Sequence, residues 1–175
     1  MPPAFDRLAP RTGAGLLNVV VDTPRGSRYK YKYDETLGLF KLTRVLPEGH
    51  VFPCDFGSIP GTRAEDGDAL DVLILGESAS FTGCLVTAHL LGALVAEQSE
   101  KGKTIRNDRL LAVPRTPSYT SPLRDIADVD TSLLEQLEHF FFSYNLAQGR
   151  RFRPLRRAAA AEAQALVEAA LVDQS

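Results

Sequence analysis

Three aspartates fall within six residues in Asp66-Gly67-Asp68-Ala69-Leu70-Asp71. Asp66 and Asp68 are two apart, so extended backbone points them to one side, and Asp71 opens an apolar run three positions later. Left alone, carboxylates this close repel and raise one another's pKa values, whereas a hard dication with oxygen ligands turns that repulsion into binding. The spacing suits a divalent-metal site built to handle a phosphate-type substrate. The competing reading is a solvated Asp-Gly turn ahead of a strand. An EF-hand fits poorly, since Gly67 stands at loop position two instead of six and Leu70 takes a ligand position.

Such a site needs a rigid scaffold. With 175 residues, 44% of them hydrophobic, the chain is long enough to bury one core without staples, which predicts a loosely ordered arm over residues 1–15 and a single domain over 16–175. Twenty Lys and Arg against 22 Asp and Glu give a formal charge of -2, which argues against a nucleic-acid partner. Cys54 and Cys84 have neither zinc-ligand nor disulfide-framework spacing, and no apolar stretch approaches the ~20 residues that span a bilayer. These features predict a soluble, cytoplasmic protein with no membrane partner.

Short strand-like segments come first: Leu17 to Asp22, Arg28 to Asp34 and Leu39 to Val45, separated by turn signals. Alternation puts Lys30 and Lys32 on one face and Tyr29, Tyr31 and Tyr33 on the other. Further strands are predicted at Asp71 to Leu75, Cys84 to Val95 and Arg109 to Val113, with a solvated hairpin loop between Ala96 and Arg109. From Thr131 the period changes, with Leu133, Leu134, Leu137, Phe140, Phe141 and Tyr144 forming a helical stripe. Ser132 and Glu135 are spaced as a capping box and Gly149 as the stop. After Pro154 the Ala-rich run predicts a second helix. The fold class is α+β with a mainly β core, a small barrel with C-terminal helices.

The stretch EDGDALDVLI, preceded by VFPCDFGSIPGT and followed by RLLAVP and then HFFFSYN, resembles the soluble inorganic pyrophosphatases in order, spacing and residue type from about Val19 to Asn145. The resemblance implies an OB-like five-stranded barrel flanked by helices and a hydrolase that cleaves pyrophosphate to two phosphates with Mg2+, or Mn2+ in its place. It implies metal ligands at Asp66 and Asp71, with Asn107 at a cage position where Asp is usual, and Asp68 as acceptor of the attacking water's proton. Lys30, Arg44 and Tyr144 match phosphate-binding side chains, Arg109 stands where Lys is usual, and Asp22, where Glu is usual, would support the ligands from behind. A homo-oligomer such as a hexamer is implied by resemblance alone.

Several positions depart from the family pattern. Lys32 stands where a metal-associated Glu is usual, which should weaken metal binding; Phe52 and Phe56 replace tyrosines, and Asn145 replaces a Lys. A lengthened 96–106 loop leaves another family carboxylate to Glu97, Glu100 or no residue. These losses keep open a second reading, a pyrophosphatase-like binding or scaffold protein with little or no catalysis and a degraded metal site. Oligonucleotide binding on the Arg28-to-Tyr33 stripe is a third, disfavoured because alternation separates its rings from its cations.

Overall fold

The computed structural model describes residues 8–172. Among these residues nine strands precede the first of two α-helices and a tenth strand separates them: β1 (Leu17–Thr23), β2 (Tyr29–Asp34), β3 (Leu39–Val45), β4 (Asp55–Ser58), β5 (Asp71–Ile74), β6 (Leu85–Glu100), β7 (Lys103–Arg106), β8 (Arg109–Thr116), β9 (Tyr119–Thr120), α1 (Thr131–Leu146), β10 (Arg151–Ala159) and α2 (Ala160–Ala169). Five strands close on themselves in the order β6-β1-β4-β5-β8 and back to β6, which is the ring an OB-like barrel requires. All the ring's pairings are antiparallel except β5 with β8. The hairpin β2–β3 forms a separate two-stranded sheet.

Strand alternation divides the core. Leu73, Leu111 and Val113 pack in one cluster with Leu134, Leu137 and Phe141 of α1, while Val72, Ile74, Leu110 and Ala112 pack in another with Ala163 and Val167 of α2. The long strand β6 serves both, pairing in turn with β1, β8, β10 and β7. It shifts register between Leu90 and Gly92, and a Cβ at Gly92 would run into Ala158 O and the Ile126 side chain.

The region beyond Val95 is a hairpin, as expected, but with strand in both arms: Glu97 to Glu100 of β6 pair with Lys103 to Arg106 across a tight turn at Lys101 and Gly102. The chain after Gly149 also differs from expectation. Residues 151–159 extend as β10 along β6, and the second helix starts only at Ala160, because pairing with an open strand edge overrides the helix propensity of the alanines at its start. The first helix is capped by Asp130, whose side chain accepts from Leu133 N, and not by a box at Ser132 and Glu135. Helix α2 has no side-chain cap of its own; Asp125, from a distant 3-10 turn, accepts from Ala160 N at 2.8 Å and from Ala127 N at 3.0 Å. Residues from Leu8 onward in the N-terminal segment lie against β1, with Asn18 N donating to Pro10 O and Arg11 reaching Glu168. Among the described residues no helix is long and apolar enough to cross a membrane.

Gly92→Ala should cost about 1–3 kcal/mol by forcing β6 from its neighbours, read as a lower urea midpoint. Backbone hydrogen bonds from Ala127 and Ala160 hold the Asp125 carboxyl below its ordinary value of 3.8. The stability it contributes is therefore present above that value and lost as pH falls through the lowered one. Asp125→Ala should cost about 1 kcal/mol at pH 7, with the gap to the parent closing as the carboxyl is protonated in acid in the same urea assay.

Candidate active site

The ring gathers chemistry at one rim because several strands begin or end there. Asp71 opens β5 and Arg109 opens β8, and since these strands run parallel with Val72 opposite Leu110, the two side chains meet. Arg109 Nη1 lies 2.7 Å from Asp71 Oδ2. Antiparallel pairing sets Ser58 of β4 opposite Asp71, and Asp22 near the end of β1 faces the same cavity. Above the rim the β2–β3 hairpin brings Lys30, Lys32 and Arg44, while α1 brings Tyr144. The result is one cavity of about 360 Å3.

Each carboxylate has a distinct surrounding. Asp22 is buried, and desolvation followed by the charge of Asp71 pushes its pKa up to about 7 against the pull of Lys30 and Ser58. Desolvation also raises Asp71, opposed by Arg109 and Lys30 and reinforced by Asp66 and Asp68. Asp66 and Asp68 are exposed and do not lie in extended backbone. Gly67 takes a positive φ of 88°, and Asp66 Oδ1 accepts from Asp68 N at 3.0 Å, so the segment is a tight turn closed by its own carboxylate. Lys32 reaches across from the hairpin and places Nζ 2.5 Å from Asp68 Oδ1.

The cationic side is built on aromatic rings. Lys30 Nζ stands 5.2 Å from the Phe56 ring centre and 5.4 Å from that of Tyr144, and Arg44 Nη1 donates to the Tyr144 hydroxyl at 2.9 Å. Burial raises the Tyr144 phenol, but the charges of Lys30 and Arg44 and the hydrogen bonds around it outweigh burial and leave it below its ordinary value. Lys30 pairs opposite Arg44 because Thr43 is bulged out of the hairpin register. The Arg109 side chain is only 6% exposed and its guanidinium carbon lies 5.0 Å from the Phe141 ring and 6.0 Å from Phe56. Phe52 is locked among Phe56, Phe140 and Tyr144.

All nine residues singled out in the sequence line this cavity: Asp22, Lys30, Arg44, Asp66, Asp68, Asp71, Asn107, Arg109 and Tyr144. Asn107 differs from the others in that its amide is already engaged. Its Oδ1 accepts a short hydrogen bond from Arg109, and its Nδ2 donates to Gln98 Oε1 at 2.8 Å. Gln98 was not anticipated; the β6–β7 register turns it to the cavity, while Glu97 and Glu100 pair with Arg153 and Arg150 instead. Arg63 and Arg150 also reach the cavity and carry no local sequence signal. Asn145 lines it too, with Nδ2 turned back onto Phe141 O.

Among the described residues no three His, Cys, Asp or Glu side chains form a ready metal cage. A magnesium-type ion does not need one, since it is commonly held by one or two carboxylates and completed by water and substrate oxygens. Asp66 and Asp71 fit that role for one ion, each having one oxygen engaged by a protein donor. The Asn107 side does not fit a second, because Arg109 occupies its oxygen.

The family model described as inorganic pyrophosphatase matches residues 19–174. The chain is 37% identical over 141 residues to the inorganic pyrophosphatase of Synechocystis sp., covering 80% of each chain. It is 35% identical over 136 residues to that of Thermus thermophilus, covering 78% of this chain and 75% of the relative. The crystal structure of inorganic pyrophosphatase from Thermus thermophilus aligns with a TM-score of 0.86 at 32% identity, covering 96% of this chain and 97% of that one.

Arg109→Met should strand Asp71 beside apolar rings and cost about 3–5 kcal/mol in urea unfolding. Adding Asp71→Asn in the same chain should recover part of that loss, a coupling that two independent sites would not show.

Proposed function

This chain belongs to the inorganic pyrophosphatase family, and from the site it carries we propose that it hydrolyses pyrophosphate to two phosphates, an inorganic diphosphatase reaction. The family implies a divalent metal; we propose Mg2+, with Mn2+ as its substitute, at Asp66 and Asp71. The observation that carries the proposal is the meeting, in one cavity, of the Asp66-to-Asp71 turn with Lys30, Arg44, Tyr144 and Arg109.

Bound there, a divalent ion would supply charge neutralisation and a more acidic water. The side chains divide the rest. Lys30 and Arg44 present charged N–H donors, and the Tyr144 hydroxyl that Arg44 holds gives a third donor, so phosphate oxygens would find three convergent partners. Arg109 fixes Asp71 through Oδ2 and leaves Oδ1 for a ligand. Asp68 would take the proton of the attacking water on Oδ2, since Lys32 holds Oδ1. Asp22, with a pKa near 7, supports Asp71 from the buried side and can hold a proton at neutral pH.

The Lys32–Asp68 contact also favours the second reading, a weakly active or non-catalytic phosphate-binding protein, because it occupies an oxygen of the residue given the proton-accepting role. Self-association and a cytoplasmic home belong to the same proposal. Exposed Leu39, Leu42 and Val45 on the β2–β3 hairpin support the first, and the free thiols Cys54 and Cys84 the second.

Purified protein with Mg2+ or Mn2+ should release phosphate from pyrophosphate. Asp68→Asn should lower turnover about a hundredfold or more while the protein still binds phosphate. Absence of phosphate release across Mg2+, Mn2+ and Zn2+ would remove the catalytic reading and leave the binding one.

A further inference from the structure

We infer that Lys32 and Arg109 equip this cavity with a cationic complement of its own, so that it binds a diphosphate-type anion with no divalent ion present. The inference rests on the reading of the cavity as a phosphate site but not on turnover. Among the described residues, six cationic side chains and five carboxylates line the cavity. The two carboxylates nearest its middle are already matched, Asp68 by Lys32 at 2.5 Å and Asp71 by Arg109 at 2.7 Å. Lys30 and Arg44 are directed instead to the Tyr144 ring and hydroxyl. Arg150 is taken up by Glu100, so the lining as a whole is balanced, and the charge open to an incoming anion is that of Lys30 and Arg44, which form no ion pair among the described residues.

The two matched pairs differ in what they can do. Arg109 is locked by Asp71, Asn107 and the flanking rings, so its charge is a permanent part of the rim. Lys32 and Asp68 are half-exposed, at 50% and 53% of their side chains, and such a pair holds weakly in water. Lys32 can thus swing its ammonium from Asp68 to a phosphate oxygen at little cost and keep one partner throughout. The flexible four-carbon stem suits that exchange better than a planar guanidinium would. A carboxylate at position 32 would reverse both properties, repelling the anion and adding an oxygen ligand for a cation.

The test uses the full chain stripped with EDTA and titrated calorimetrically with imidodiphosphate, a non-hydrolysable P–N–P analogue. Saturable binding that weakens with salt is expected. Lys32→Met should bind about tenfold more weakly, and Lys32→Glu more weakly still while taking up more Mn2+ than the parent in electron paramagnetic resonance titrations. Both changes sit on the exposed hairpin, and the Met variant removes the charge without adding a new one. The inference fails if the stripped parent binds no imidodiphosphate until metal is restored, or if both variants bind it as the parent does. Turnover with Mg2+ but no metal-free binding would sink this inference and spare the enzymatic proposal. Metal-free binding without turnover would do the reverse.

Discussion

Arg109 is a guanidinium held inside the protein, and the site is arranged around the need to satisfy it. Its position follows from topology. β5 and β8 are the ring's parallel neighbours, so the residues that open them, Asp71 and Arg109, arrive side by side at the same rim. An arginine there cannot reach water freely, because Phe141 and Phe56 flank it. Burying a charge is tolerated only when it is paired and hydrogen-bonded. Asp71 supplies the countercharge, Asn107 and the Asp108 carbonyl accept from the same Nη1, and the Phe141 ring lies beside the guanidinium, while the buried Nε has no hydrogen-bond partner. The contact at the heart of the site is therefore a consequence of how the ring closes.

The other functional groups are delivered to that rim from outside the ring. The β2–β3 hairpin is hydrogen-bonded to no ring strand through its own ladder, yet it carries Lys30, Lys32 and Arg44. It is held over the cavity by local links such as Tyr31 N to Thr23 Oγ1 and by the contact between Arg44 and Tyr144 of α1. The rigid half of the cavity is thus the strand rim with its buried Asp22, Asp71 and Arg109, and the adjustable half is the hairpin with its exposed Lys32. An anion entering between them meets fixed charge on one side and a movable ammonium on the other.

How far the sequence revealed this can be judged from particular segments. The helix over Leu133 to Tyr144 was legible because its period of three and four is strong, and the ring strands β1, β5, β6 and β8 because their apolar runs are bounded by turns or charged residues. The strand Arg151–Ala159 was not, since its alanines favour a helix locally and only the unpaired edge of β6 makes extension the better choice. Asp55–Ser58 was missed for a related reason: four residues with a glycine carry no period, and Gly57 is required there because a side chain would strike β1. At the site, residue types and order located the cavity, but partners across long sequence separations, such as Lys32 with Asp68 and Gln98 with Asn107, depend on register and had no local signature.

The amide at position 107 changes how the substitutions should be understood. Taken one at a time, Asn107 and Arg109 look like separate erosions of a metal site. In the structure they form a single hydrogen-bonded chain, in which Arg109 donates to Asn107 Oδ1 and Asn107 Nδ2 donates to Gln98 Oε1. A carboxylate at 107 could accept from Arg109 but could not donate to Gln98, whose amide would have to turn its Nε2 toward it. The amide accepts from Arg109 and donates to Gln98 at once, which links the three side chains along the rim. Asn107 and Arg109 support one another, and together they hold Asp71 at the rim through its Oδ2.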